Sequence, residues 1–156
     1  MQEYITTVSR YLLVLCMAFY TLDSLMVFRY RNEREGGFIY LRQNFWMFAI
    51  QLVSFFNIAI LSREWVYVFI YGVLQVFLFL VLCITPIIYK NINRLLLNNM
   101  CMLIGIGMIM VSRLDVDKAV RQFKIILVSY IICMFVPLIV SRVKLLSKLR
   151  WIYAAI

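Results

Sequence analysis

The sequence predicts an all-α, polytopic transmembrane protein with five spans plus the start of a sixth. Two observations predict it. Hydrophobic residues make up 65% of the 156 and charged residues only 15%, against about 45–50% and about 25% in soluble domains. A chain this short cannot hide that excess in a core, because it still exposes much of its surface. The apolar residues also come as continuous runs, long enough as helix to cross about 30 Å of hydrocarbon. Barrel strands would alternate instead, and a helix satisfies its backbone groups internally, as lipid demands.

The spans follow in order: residues 11–28, 45–61, 66–89, 95–111 and 125–140. Some are short, but each has a cationic or aromatic neighbour able to snorkel, such as Arg113, Lys124 or Arg142. Between the first two lies "RYRNEREGGFIYLRQ", whose Gly36-Gly37 and mixed charges predict a 15-residue solvated loop. Residues 1–90 thus read as a three-helix membrane extension, and residues 91–156 as a second set that starts after "KNINR". The closing "SKLRWIYAAI" opens as a sixth span would. It is expected to be the front of that span in a longer protein, the other reading being an interfacial anchor.

Cation placement gives the orientation. With the N-terminus outside, cytoplasmic segments hold ten cations, among them Arg29, Arg31, Arg42, Lys90 and Arg94, and external segments hold six. The formal charge of +9 then reflects topology and contact with anionic lipid. It does not point to nucleic acid, since no basic helix lies in a soluble region of useful size. The first run is too long for a secretory h-region and lacks a small-x-small cleavage site, so a removable signal is not expected.

Polar residues within spans carry the remaining information. Gln51, Ser54 and Asn57 recur every three residues on one helical face. They are expected to hydrogen-bond between helices, with a substrate path as the sharper alternative. Asp23 is a costly intramembrane carboxylate, expected to form an ion pair with Arg29 or Arg31. Gly72, Gly105 and Gly107 suit close helix packing. The cysteines at 16, 83, 101 and 133 fall in spans, where they read as packing residues. With no histidine and no cysteine pair at ligand spacing, neither a metal site nor a cofactor is expected. No nucleophile, base and oxyanion site assembles, so no catalytic residue is assigned.

One stretch differs from generic apolar helix: "GIGMIMVSRLDVDKAVRQF", residues 105–123. An apolar run ends at Ser112, a short charged segment follows, and Arg121-Gln122 opens the next run. Asp115 and Asp117 suit a cap at the start of that helix. Residues 98–140 resemble the first two core helices of the FtsW/RodA/SpoVE proteins, the SEDS family of shape, elongation, division and sporulation. Ile104-Gly105-Ile106-Gly107-Met108-Ile109-Met110 with Ser112 fill the first part of the pattern, and Arg121-Gln122-Phe123 the second. Tyr40–Gln43 is similar to a tyrosine-rich segment in the N-terminal helices of some Gram-positive members. The chain departs from the pattern at Val111-Ser112-Arg113-Leu114, where the family often has Tyr-Ser-Ala-Ser.

The resemblance implies a bacterial multi-pass membrane protein that, at full length, polymerises lipid II into peptidoglycan glycan strands beside a penicillin-binding-class transpeptidase. The family's catalytic aspartate lies in a later external loop, and no position here corresponds to it, so this chain alone is expected to be inactive. Arg121, Gln122 and Lys124 are then candidates for a lipid-linked substrate: arginine forks onto phosphate oxygens, and glutamine can donate to a sugar. The plainer reading is that these cations anchor the helix at the headgroups. A different class, a small non-enzymatic scaffold or a transporter subunit, stays open; transporters usually show paired halves with broken helices, which this chain lacks.

The orientation makes a direct prediction. In a background without native cysteines, Gly36→Cys should resist an impermeant thiol reagent in intact cells and react once the cells are opened. Labelling in intact cells reverses the topology.

Overall fold

The computed structural model describes residues 2–29, 33–89 and 92–142. Among these the chain forms five α-helices: α1 (Gln2–Arg29), α2 (Glu33–Ser62), α3 (Val66–Ile88), α4 (Arg94–Leu114) and α5 (Val116–Arg142). Each contains a stretch of 21 to 26 residues that is long and apolar enough to cross a membrane. The protein is therefore a multi-pass helical membrane protein. The expected sixth span falls at residues outside the described set.

The helix ends show how the backbone is satisfied where no further turn follows. At the α2–α3 turn, Arg63 takes a left-handed conformation (φ 55°), the geometry that reverses a chain just past a helix. The carbonyl of Trp65 then accepts from the amides of Val68 and Phe69 at 3.1 and 3.3 Å. The Asn93 side chain caps α4, accepting from the amides of Leu95 and Leu96 at 3.0 and 3.4 Å; such a cap contributes about 1 kcal/mol. Trp65, which is 84% exposed, stands at the mouth of α3, the level where interfacial tryptophan is enriched.

Two boundaries differ from the sequence reading. The expected loop of residues 29–43 is mostly helix, because α2 begins at Glu33; Gly36 and Gly37 lie inside it rather than in a turn. The reason is that one face of this polar-looking stretch is packed: Ile39 and Gln43 are buried, one helical turn apart, continuing to Met47 and Ile50. The charged segment after Ser112 is likewise mostly helix. α4 runs to Leu114 and α5 starts at Val116, so a single residue, Asp115, separates them.

Packing divides the chain into a unit of Met1–Val120 and a second beginning at Arg121. Within the first, α2 is the central helix and packs on α1, α3 and α4, while α3 also packs on α4. Thus α4, the start of the second set in sequence, belongs to the same compact unit as the first three helices. Its core is Met47, Phe55, Leu74, Leu78, Val81, Cys101 and Met108, all fully buried. Phe19 stacks on Trp46 with ring centroids 4.9 Å apart, joining α1 to α2. The outward side chains of α3, such as Phe69, Val76 and Ile87, are 62–74% exposed, which is the composition of a face that lipid covers.

Candidate functional site

The polar side chains of the spans collect along one edge of α2. Asp23 of α1 is 4% exposed and lies near the end of the span Thr6–Val27; a carboxylate costs about 2.5–3.5 kcal/mol at a helix centre on insertion scales, and less towards the ends. Arg42 answers it with a fork: Nε donates to Oδ2 at 2.9 Å and Nη2 to Oδ1. Nη2 also approaches the Met26 sulfur at 3.6 Å. The ion pair expected of Asp23 is therefore present, with Arg42 rather than Arg29 or Arg31 as the partner; the side chains of those two lie outside the described residues. The sequence alone places Arg42 in a loop, whereas it lies in α2. It reaches Asp23 because α2 is already helical there.

The next residue along both helices makes the next link. Gln43 Nε2 donates to Ser24 Oγ at 2.7 Å, and Ser24 Oγ donates back to the Tyr20 carbonyl at 3.0 Å. Gln43 Oε1 in turn accepts from Asn98 Nδ2 of α4 at 2.9 Å. Tyr20 closes the set, its hydroxyl donating to Asn99 Oδ1 at 2.8 Å. One glutamine, wholly buried, thus ties α1 to α4 through α2. Each such bond contributes about 0.6–2 kcal/mol in lipid.

Eight residues further along α2, about 12 Å at the helical rise, stands Gln51. Its Oε1 accepts from Gln75 Nε2 of α3 at 2.7 Å. The interhelical role expected of the Gln51 face thus holds for Gln51 itself; Ser54 is buried on the same side, and Asn57 is half-buried. Gly105 of α4 makes room for this amide. A Cβ built there would lie 2.2 Å from Gln51 Nε2 and 2.9 Å from its Cδ. Gly105 is a close-packing glycine, whereas a Cβ at Gly72 or Gly107 meets nothing within 4 Å.

At the junction of α4 and α5, the Asp115 carboxylate accepts the Asp117 amide at 2.9 Å, and its carbonyl accepts the Ala119 amide at 3.1 Å. Asp115 is the cap and Asp117 lies in the first turn of α5, where a negative charge meets the positive end of the helix dipole. Lys118 lies 3.6 Å from Asp115, an exposed pair worth little. Ser112 is fully buried, and its Oγ has no hydrogen-bond partner among the described residues.

Arg121 and Gln122 lie in the second turn of α5 and Lys124 at the start of the third, rather than at the helix start, and all three side chains are exposed. Arg121 and Lys124, three residues apart, share one helical face. The four cysteines are free thiols; Cys16 and Cys101 are buried, Cys83 and Cys133 exposed. No family model, curated protein or solved structure matches the chain. Gln43, Gln75 and Asn98, with Tyr20, Ser24 and Asn99, are the polar residues that sequence reasoning passed over. A signal for Gln43 was present: it continues the four-residue spacing of Ile39 and Met47.

Two consequences are measurable as unfolding free energy in detergent. Arg42→Ala leaves Asp23 buried without its counter-charge and should cost about 3 kcal/mol, the lower end for a broken buried pair, since Arg42 is 40% exposed. Asp23→Asn added to it should restore part of that loss; no recovery would mean the two charges do not depend on one another. Gly105→Ala should displace the Gln51 amide and cost about 1–2 kcal/mol. Gln51→Ala should reduce the penalty of Gly105→Ala, and additive losses would separate the two sites.

Proposed function

We propose that this chain is the N-terminal membrane part of a FtsW/RodA/SpoVE-like protein of the bacterial cell membrane, with its N-terminus outside. At full length such a protein serves cell shape, division or sporulation by polymerising lipid II into glycan strands, beside a penicillin-binding-class transpeptidase. The reading is carried by the stretch from Ile104 to Phe123. Its small residues include the glycine that α4 needs against Gln51, and its Arg121 and Lys124 share an exposed face of α5.

Under this reading the polar edge of α2 is structural. Its carboxylate, its guanidinium, the Gln43 amide and the Gln51 carbonyl oxygen are engaged with neighbouring helices, while Gln51 Nε2 and Asn44 Oδ1 have no partner among the described residues; the engaged groups favour packing over a substrate path through the first four helices. The residues that meet the substrate are sought on α5 instead. An arginine at the headgroup level offers a planar pair of donors to a pyrophosphate. Gln122, about 100° around the helix from Arg121, serves a sugar or a neighbouring backbone group.

Arg121→Ala in the full-length protein tests this. A charge-assisted contact to phosphate contributes roughly 1.5–3 kcal/mol, so polymerisation of lipid II or affinity for it should fall about tenfold or more, with insertion unchanged. Arg121→Lys should be intermediate, keeping the charge and losing the fork. Arg113→Ala should cost far less, because an interfacial anchor is replaceable by its neighbours. Equal activity in all three would leave Arg121 as an anchor only.

A further inference from the structure

A cavity of about 290 Å³ opens between α2, α3 and α4, at the end of the bundle where α4 begins. Its lining includes Gly37 and Asn44 of α2, Leu82 and Pro86 of α3, and Arg94 and Asn98 of α4. We propose that it holds the headgroup of an anionic, hydroxyl-bearing phospholipid of the phosphatidylglycerol class. This assignment is independent of the proposed glycan chemistry and asks only that the chain span a membrane.

Three observations converge on that ligand. The first is level. α3 ends two residues beyond Pro86 and α4 starts at Arg94, so the cavity lies where hydrocarbon gives way to headgroups. Its volume is near the lower limit of ligand sites, which suits a headgroup. The acyl chains can run outside along Leu41 and Ile87, which are 67% and 74% exposed.

The second is charge. Arg94 is the one charged residue among the described residues of the lining, and Asp23, the buried carboxylate of α1, is already forked by Arg42. A phosphodiester is attracted there and an ammonium group is repelled.

The third is unmet hydrogen bonding. Asn44 Oδ1 is buried with no partner among the described residues. Pro86 has no N–H to give to the carbonyl of Leu82 one turn earlier. Asn44 and Leu82 both border the cavity, and a small rotation of the Asn44 side chain would bring its acceptor to a donor on the ligand. A glycerol hydroxyl donates, and it also accepts should the Asn44 amide be turned over. An ethanolamine ammonium also donates, but it carries the wrong sign beside Arg94.

Native mass spectrometry of the detergent-solubilised chain, titrated with phosphatidylglycerol or phosphatidylethanolamine of matched acyl chains, reads the affinity directly. Phosphatidylglycerol should bind at least about tenfold tighter, and Arg94→Ala should weaken it about tenfold or more. Gly37→Leu should do the same by filling the mouth of the cavity. A Cβ at Gly37 meets nothing within 4 Å and leucine favours the helix over glycine, so this variant should melt no lower than wild type. Arg113→Ala, at the other end of α4, should bind as wild type does. Equal binding of the two lipids overturns the assignment, as does equal retention of phosphatidylglycerol by wild type, Arg94→Ala and Gly37→Leu. Displacement of the lipid by free glycerol 3-phosphate would also overturn it, in favour of a soluble phosphate.

Discussion

A carboxylate buried within the hydrocarbon must take its counter-charge from the protein, because the lipid tails have none to give. Asp23 takes it from Arg42, and much of the bundle follows from that contact. Fixing residue 23 of α1 against residue 42 of α2 sets the register of the two helices. The adjacent pair, Ser24 and Gln43, is then in bonding range, and Phe19 stacks on Trp46 one turn away. A slide of α2 by one turn would strand the charge and empty the stack together. The polar contact specifies the alignment, and the apolar contacts around it contribute through close packing.

The five spans were legible because lipid-facing helices are written as continuous apolar runs, and neither turn chemistry nor propensity had to be weighed. Their ends were less so. The segment from Glu33 to Gln43 has the composition of a solvated loop, yet it is helical, because charge density does not reveal which polar residues have partners. The spacing of Ile39, Gln43, Met47 and Ile50 was the better guide. It is helical, and it places Gln43 on the face that packs.

The polar contacts divide along the same line. The Gln51 face could be read from one helix alone, since periodicity is a property of one segment. Gln75, Asn98 and Asn99 could not be read as partners, because pairing depends on which helices are neighbours. The same limit explains Asp23: the need for a counter-charge was evident, and the nearby Arg29 and Arg31 were natural candidates. Distance along the chain is a poor measure of reach once two helices lie side by side.

The bond between Asn98 and Gln43 joins residues 55 positions apart, and this separation has a temporal consequence. A ribosome adding about 5–20 residues per second makes Asn98 roughly 3–11 seconds after Gln43. Through that interval α1 to α3 can pack, but the Gln43 carbonyl lacks its α4 donor. The nascent bundle therefore carries an unfilled acceptor among lipid tails that offer no donor. Water, a lipid headgroup or the insertion machinery must hold that place until α4 enters. The arrival of the fourth helix, rather than the third, then marks when the first compact unit can close.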